Sequence, residues 1–139
     1  MTTQTRVRAI LVSAQAVIED PKQWVTEYEA VAADGGPRNG RDLDACRWCA
    51  VGAVLKCASS DEYILYCSYP GEPTIVSKTL QALNDAARYL FETIDDCTHN
   101  GITAINDYEG HARTLQMFDR AIAQVSAPPV TVNETDIPF

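Results

Sequence analysis

Two cysteines separated by two residues, Cys46 and Cys49, have the spacing of half a zinc site. Cys97 and His99 could supply the other half. The residues around Cys46 and Cys49 are largely apolar, and in such surroundings a cysteine usually serves as a small buried side chain. A redox-active pair would require a strand-helix-strand setting that the local pattern does not show. We therefore interpret these thiols as structural and predict no metal or other cofactor.

The same two cysteines are candidates for a nucleophile. Either one would lie in the first turns of a predicted helix beside Arg47, and both features lower the pKa of a thiol. The chain also holds candidates for the base and for the group that orients it: His99, His111, Asn106 and Asp107. No nucleophile motif surrounds the cysteines, and the separate parts of such a constellation occur by chance in many chains. We therefore expect that this protein is not an enzyme, and catalysis by one of these cysteines is the alternative.

An acidic segment, residues 92–111, offers a different chemistry. Asp95 and Asp96 follow a long predicted helix at its C-terminal end, where the macrodipole disfavours negative charge by about 0.3 to 1 kcal/mol per group. A divalent cation such as Mg²⁺ or Ca²⁺ would offset that cost through oxygen ligands. The other interpretation is a solvated acidic loop whose carboxylates cap turns. We favour the loop and leave the cation site open.

Asn106 and Asp107 form a polar pair just before the last predicted helix. We predict that they accept backbone N–H bonds at the start of that helix. In the alternative, they hydrogen-bond a small polar ligand on which Trp48 stacks. The candidate ligand-binding residues are Trp48, Cys49, Asn106, Asp107 and His111.

Helical periodicity dominates the elements that would position these residues. Apolar residues recur three and four apart over 7–18, 76–94 and 115–125, which predicts three amphipathic helices. A shorter helix is expected over 24–33, where Trp24 and Tyr28 share one side. These helices would enclose a common core.

The most informative segment is a predicted central helix over about 44–58, capped by Asp42 or Asp44. Small side chains gather on one face and larger apolar ones on the opposite face, so this helix would lie at the centre of the fold. Gly52 costs about 1 kcal/mol relative to Ala inside a helix, which predicts a contact too close for any side chain. The next segment, 59–73, fits either a helix or a strand.

These elements together predict an all-α fold. We expect a compact bundle of four to five helices around the central helix, in a single domain over 1–125. An extended tail would follow over 126–139, because Pro128 and Pro129 prevent the last helix from continuing. A chain of 139 residues is long enough to close one hydrophobic core.

Composition narrows the class of function. The chain has 19 acidic and 11 basic residues, a net charge of -8 at pH 7, and this excess repels the phosphate backbone of nucleic acids. Its 5 cysteines are an odd number, which argues against a disulfide framework. The N-terminal residues lack the apolar core of a signal peptide, and no stretch reaches the roughly 18 apolar residues of a membrane span. We therefore expect a cytoplasmic protein that binds neither nucleic acid nor a membrane.

The chain resembles a family of short uncharacterised proteins of bacteria and their phages. The resemblance spans roughly residues 7 to 125, and the family pattern is an N-terminal helix, a Trp-Cys-x-x-Gly-Ala helix, an Asn-Asp turn and a closing helix. The matching segments are Arg47-Trp48-Cys49-Ala50-Val51-Gly52-Ala53, Ile105-Asn106-Asp107, and Leu115 with Asp119-Arg120-Ala121-Ile122. Ile105 stands where family members often carry Trp. The resemblance implies a helical architecture and no particular activity.

We expect a small, acidic, non-enzymatic binding module that interacts with a basic protein partner and can form a homodimer. The resemblance implies that it could be an inhibitor or adaptor encoded by a phage or a bacterium. The alternative is a small pocket protein that binds or hydrolyses a small polar ligand. That alternative would use Cys49 or Cys46, with His99 or His111 and with Asn106 and Asp107.

Overall fold

The computed structural model describes residues 2–90 and 100–126 of the chain. Within these ranges the fold is mixed α/β, so the prediction of an all-α helical bundle is wrong. The helices are α1 (Thr3–Ile18), α2 (Ala50–Cys57), α3 (Ser60–Ser68), α4 (Ile75–Leu90), α5 (Asn100–Ala104) and α6 (His111–Ser126). The strands are β1 (Ala30–Ala32), β2 (Pro37–Arg38) and β3 (Ala45–Trp48). A 3-10 turn (Pro21–Gln23) follows α1, and a π-helical turn (Ile105–Glu109) joins α5 to α6.

The three strands form an antiparallel sheet in the order β2-β1-β3, and Ala30 of β1 lies opposite Trp48 of β3. Gly35, at φ 88°, adopts the left-handed conformation in the connection between β1 and β2. All three residues of β1 are buried, so the strand shows no alternation of apolar and polar side chains. A short apolar run buried on both faces has no periodicity that distinguishes a strand from a helix. This ambiguity explains why the sheet was missed.

The predicted central helix over 44–58 is divided between two elements, β3 and α2. Cys49, between them, is the N-cap of α2: its backbone is extended, and its Sγ accepts a hydrogen bond from the Gly52 N–H at 3.4 Å. The cap predicted at Asp42 or Asp44 is therefore wrong. Trp48 of β3 and most residues of α2 are buried, so the apolar residues of the two elements fit the pattern of one helix.

The contact predicted at Gly52 is confirmed, although its neighbour is the chain leading into β1 and not another helix. A Cβ on Gly52 would lie 2.0 Å from the carbonyl oxygen of Glu29. A Cβ on Gly40 would lie 2.5 Å from the carbonyl oxygen of Gly52. Three backbone segments therefore stack directly on one another at this point, and a side chain at either glycine would force them apart.

The helix predicted over 24–33 does not form. Asp20 caps the 3-10 turn, and the chain then runs extended, so that the Val25 N–H bonds the Trp48 carbonyl at 3.1 Å. The open segment 59–73 contains helix α3, which begins with a reciprocal capping box between Ser59 and Glu62.

The core lies where α1 packs against α2, α4 and α6, and where α4 packs against α2 and α6, at positions that the three-and-four spacing predicted. Its largest buried side chains are Phe118, Ile10, Leu11, Ile18, Leu83, Ile102, Ile105 and Met117. Burial of each contributes about 1.5 to 3 kcal/mol of hydrophobic free energy. This core holds the ends of α2 and α5 in place, and the candidate site lies there.

Several predictions concern parts of the chain outside the described residues. They include the predicted helical position of Ile94, the predicted roles of Asp95 and Asp96, and the tail predicted after Ser126. Among the helices that are described, none is both long and apolar enough to cross a membrane.

Candidate functional site: an acidic cleft

The π-helical turn brings the carboxamide of Asn106 into the middle of the fold, where it is 2% exposed. Its Oδ1 accepts hydrogen bonds from Trp24 Nε1 at 2.8 Å and from the backbone N–H of Ala50 at 3.0 Å. Its Nδ2 donates to the Val25 carbonyl at 3.1 Å and to Asp107 Oδ1 at 2.9 Å. A carboxamide can accept two hydrogen bonds and donate two, so Asn106 is fully satisfied. It joins the π turn to the first turn of α2 and to the segment after the 3-10 turn.

Asp107 extends this network to the surface. Its Oδ1 accepts the Nδ2–H of Asn106 and the backbone N–H of Glu27, the latter at 3.0 Å. Glu27 has φ 73°, a left-handed conformation that costs a residue with a Cβ about 1 to 2 kcal/mol. The hydrogen bond from Asp107 helps to hold Glu27 in that conformation.

Asn106 and Asp107 therefore do not cap the last helix as predicted. Asn106 binds the N-terminal turn of a different helix, α2, and Asp107 binds the loop at Glu27. In α6 the Thr114 N–H bonds the Gly110 carbonyl, at 3.0 Å, in the ordinary helical pattern. A π-helical turn inserts an extra residue in a helix and often occurs at functional sites.

These residues form one wall of an open cleft of about 300 Å³. Three carboxylic acids line it: Glu27, Glu29 and Asp107. Among the described residues that line the cleft there is no Lys, Arg or His. The remaining wall is aromatic, apolar or neutral, and consists of Tyr28, Cys49, Val51, Tyr66, Leu80, Ile102, Thr103 and Asn106. A concave surface that carries one sign of charge between apolar walls concentrates its field in the cleft.

Backbone contacts hold Glu29 at the base of this wall. Its carbonyl oxygen accepts the N–H of Cys49 at 3.0 Å, and its side-chain Oε2 accepts the N–H of Gly40. The close approach of Gly52 to the same carbonyl fixes α2 against Glu29. Gly52, which was predicted to pack closely, and Gly40 therefore position an acidic residue of the cleft.

The Cys49 thiol lies in the cleft as a neutral group. The pKa of Cys49 is raised to about 11, mainly by burial; the nearby carboxylates of Glu29 and Asp107 contribute to this rise, and backbone N–H bonds oppose it. The thiol is therefore protonated at neutral pH. The helix N-terminus, which was expected to lower the pKa, is outweighed by desolvation.

The structure brings three of the five candidate ligand-binding residues together: Cys49, Asn106 and Asp107 line the cleft. Trp48 is buried elsewhere, with its Nε1 donating to the Gly40 carbonyl at 3.0 Å and Lys56 Nζ lying 5.0 Å from its ring centroid.

The imidazole of His111 hydrogen-bonds the Ile18 carbonyl at 2.7 Å and lies 5.2 Å from the Trp24 ring. Cys46 is an exposed residue of β3, and the side chains of Cys97 and His99 fall outside the described part of the chain. Across residues 2–90 and 100–126, no three His, Cys, Asp or Glu side chains are grouped to hold a metal ion.

The sequence analysis missed Glu27 and Glu29 because they lie in a segment that it assigned to a helix. The triplet Glu27-Tyr28-Glu29 carries a signal that was available: two acids flank an aromatic residue just before a short apolar run. All three residues line the cleft, because the chain bends at Glu27 and does not alternate as a regular strand would. The partner on the other wall, Asp107, is too distant in sequence for a local pattern to reveal.

Comparison with known proteins gives one match. A model described as a family of unknown function (DUF6197) matches residues 2–124, which is most of the chain. No curated protein and no solved structure matches the chain significantly. The matched range covers every described element of the cleft, and the chain belongs to the family of unknown function DUF6197.

Proposed function

We propose that this chain is a non-enzymatic binding module whose cleft receives a positively charged group of a protein partner. The single observation that carries the proposal is the lining of the cleft, which combines three carboxylic acids with no cationic side chain among the described residues. A guanidinium or ammonium group would complete the charge pairing there. Carboxylates and such cations form hydrogen bonds that are shorter and stronger than neutral ones.

The aromatic residues of the cleft support a cationic ligand. Tyr28 is 48% exposed and Tyr66 is half-buried, so both can present ring surface to a ligand. A cation over an aromatic face gains about 0.5 to 1 kcal/mol at an exposed site and more when it is desolvated. Val51, Leu80 and Ile102 would contact the aliphatic part of a Lys or Arg side chain.

The conformation of Glu27 also supports binding. A non-glycine residue with left-handed φ persists only where its surroundings hold it, and such residues cluster at ligand-binding sites. Glu27 is exposed and its backbone is held by Asp107, so its side chain makes little contribution to the core. A binding role accounts for an acidic residue at a position that glycine would occupy with less strain.

The alternative, a pocket that binds or hydrolyses a small polar ligand, has weaker support. Cys49 would need a base, yet its pKa is raised to about 11, and His111 bonds the Ile18 carbonyl outside the cleft. A volume of about 300 Å³ lies at the lower limit of small-molecule pockets. If the cleft binds a small ligand, the charges of its lining favour a cationic one.

The test is an NMR titration of the ¹⁵N-labelled protein with arginine amide. We expect shifts at Glu27, Glu29 and Asp107, and about three- to tenfold weaker binding in Glu27→Gln, which loses one exposed charge pair. Glu19→Gln removes the same charge outside the cleft and serves as the matched control. Equal weakening in both variants, or no shifts at the cleft, would refute the proposal.

Two finer proposals rest on the family resemblance and on composition. We propose that the chain acts on its partner as an inhibitor or adaptor encoded by a phage or a bacterium. We also propose that the chain can form a homodimer. Native mass spectrometry reports the stoichiometry of the free protein, and a monomer at micromolar concentration would dismiss the homodimer.

A further inference from the structure

A second depression, of about 690 Å³, adjoins the acidic cleft. The two share Tyr66 and Leu80 in their walls, so they form one continuous surface. The second depression, which we call the α4 groove, follows one side of α4 and the loop before it. Its charged lining residues are Glu72, Lys78 and Arg88.

The charge of the α4 groove differs from that of the cleft. Lys78 and Arg88 are both exposed on α4, and Glu72 is the single acidic residue in the lining described above. Ten residues of helix separate Lys78 from Arg88, which corresponds to about 15 Å along the axis. The continuous surface is therefore acidic in the cleft and basic along α4.

We infer that the cleft and the α4 groove together bind an extended peptide segment of the partner, with a basic side chain in the cleft and an acidic side chain beside Lys78 or Arg88. The inference rests on the proposed function, because it requires the cation in the cleft. The groove adds a second, oppositely charged subsite. Its length of about 15 Å accommodates roughly four residues of extended chain at about 3.3 Å each.

The test uses synthetic peptides of the form acetyl-Arg-spacer-Glu-amide, with alanine spacers of increasing length and in both charge orders. Each is compared with the same peptide that carries Gln in place of Glu. At one spacer length and in one order, we expect the Glu peptide to bind about three- to tenfold more tightly than the Gln peptide, because it forms one or two additional exposed ion pairs. Binding is followed by NMR titration of the full chain.

The variant Lys78→Gln with Arg88→Gln removes the basic subsite and is expected to abolish the preference for Glu while leaving arginine amide binding unchanged. Lys22→Gln with Arg47→Gln removes the same charge elsewhere and should keep the preference. The inference is overturned if no spacer gives a preference for Glu, or if the preference survives in Lys78→Gln with Arg88→Gln. Failure of arginine amide to shift the cleft residues would instead overturn the proposed function, so the two failures are distinguishable.

Discussion

Two acidic regions of this molecule differ in what faces their carboxylates. Between α1 and α3, Glu62 accepts two hydrogen bonds from the Arg6 guanidinium, at 2.6 and 2.7 Å. In the cleft, the carboxylates of Glu29 and Asp107 accept hydrogen bonds from backbone N–H groups, and the lining described above offers no cationic side chain to them or to Glu27. The acid between the helices stabilises the fold, whereas the acids of the cleft are left to bind a charge from outside. Four predictions test this distinction, and they follow in order of decreasing effect.

The largest effect is expected from Asn106→Leu, which removes the support behind the cleft. The substitution leaves Trp24 Nε1, the Ala50 N–H and the Val25 carbonyl without their partner. At about 1 to 3 kcal/mol for each of the three unpaired groups, we expect the free energy of unfolding to fall by at least about 3 kcal/mol. Urea denaturation measures it. The exposed Asn39→Leu is the control, and a loss below about 1 kcal/mol in Asn106→Leu would show that the network is not structural.

The second prediction uses Cys49 as a reporter of the cleft. A pKa of about 11 in place of the usual 9.0 leaves about a hundredfold less thiolate at neutral pH. We therefore expect iodoacetamide to label Cys49 about a hundredfold more slowly in the native than in the denatured protein, as followed by mass spectrometry of the modified peptide. Rapid labelling of Cys49 in the native protein at pH 7 would contradict a neutral thiol and support the hypothesis that Cys49 is a nucleophile.

The third prediction concerns the paired acid. Hydrogen bonds from Arg6 lower the pKa of Glu62 to about 2, so its stabilisation is present above the unfolded pKa of about 4.5 and is lost as the pH falls toward 2. Because water screens part of this pair, we expect Glu62→Gln to cost about 1 to 2 kcal/mol at pH 7 and less than about half of that at pH 3.

Urea denaturation of both proteins at the two pH values measures this difference. Asp61→Asn, an exposed acid in the same turn, serves as the control. If the difference in free energy of unfolding between wild type and Glu62→Gln does not change with pH, the ion pair contributes nothing to stability.

The smallest effect on stability is expected at Glu27. Glycine tolerates φ 73° without the penalty of a Cβ but loses more chain entropy on folding, so Glu27→Gly should leave stability unchanged or raise it by up to about 1 kcal/mol. Glu27→Ala keeps the strain and should not gain. Both variants lack the carboxylate and should bind arginine amide more weakly. A melting temperature for Glu27→Gly well below that of Glu27→Ala would show that the left-handed conformation is not strained.

The sequence predicted the parts of the fold in which one face of an element is buried. α1, α4 and α6 show the three-and-four spacing because their other face meets solvent. β1 and α2 are mostly buried, so periodicity could not separate strand from helix in the region 30–58. That single ambiguity removed the sheet from the predicted fold.

The candidate site was predicted in part for a related reason. Asn106 and Asp107 were noticed because polar residues beside an apolar run are conspicuous, and the structure places both at the cleft. Their assigned role was wrong because the partners of Asn106 are Trp24, Val25 and Ala50, which are distant in sequence. Side-chain hydrogen bonds between distant elements leave no local spacing to detect.

The central claim is that the cleft recognises positive charge, and the most direct measurement compares arginine amide with citrulline amide. The two ligands have nearly the same shape and the same α-amino group, and only the first carries a guanidinium cation. In parallel NMR titrations of the wild-type protein at low salt, we expect arginine amide to bind at least about threefold more tightly, with shifts at Glu27, Glu29 and Asp107, and to lose that advantage as salt is added. Equal affinity for the two ligands at low salt would contradict the account.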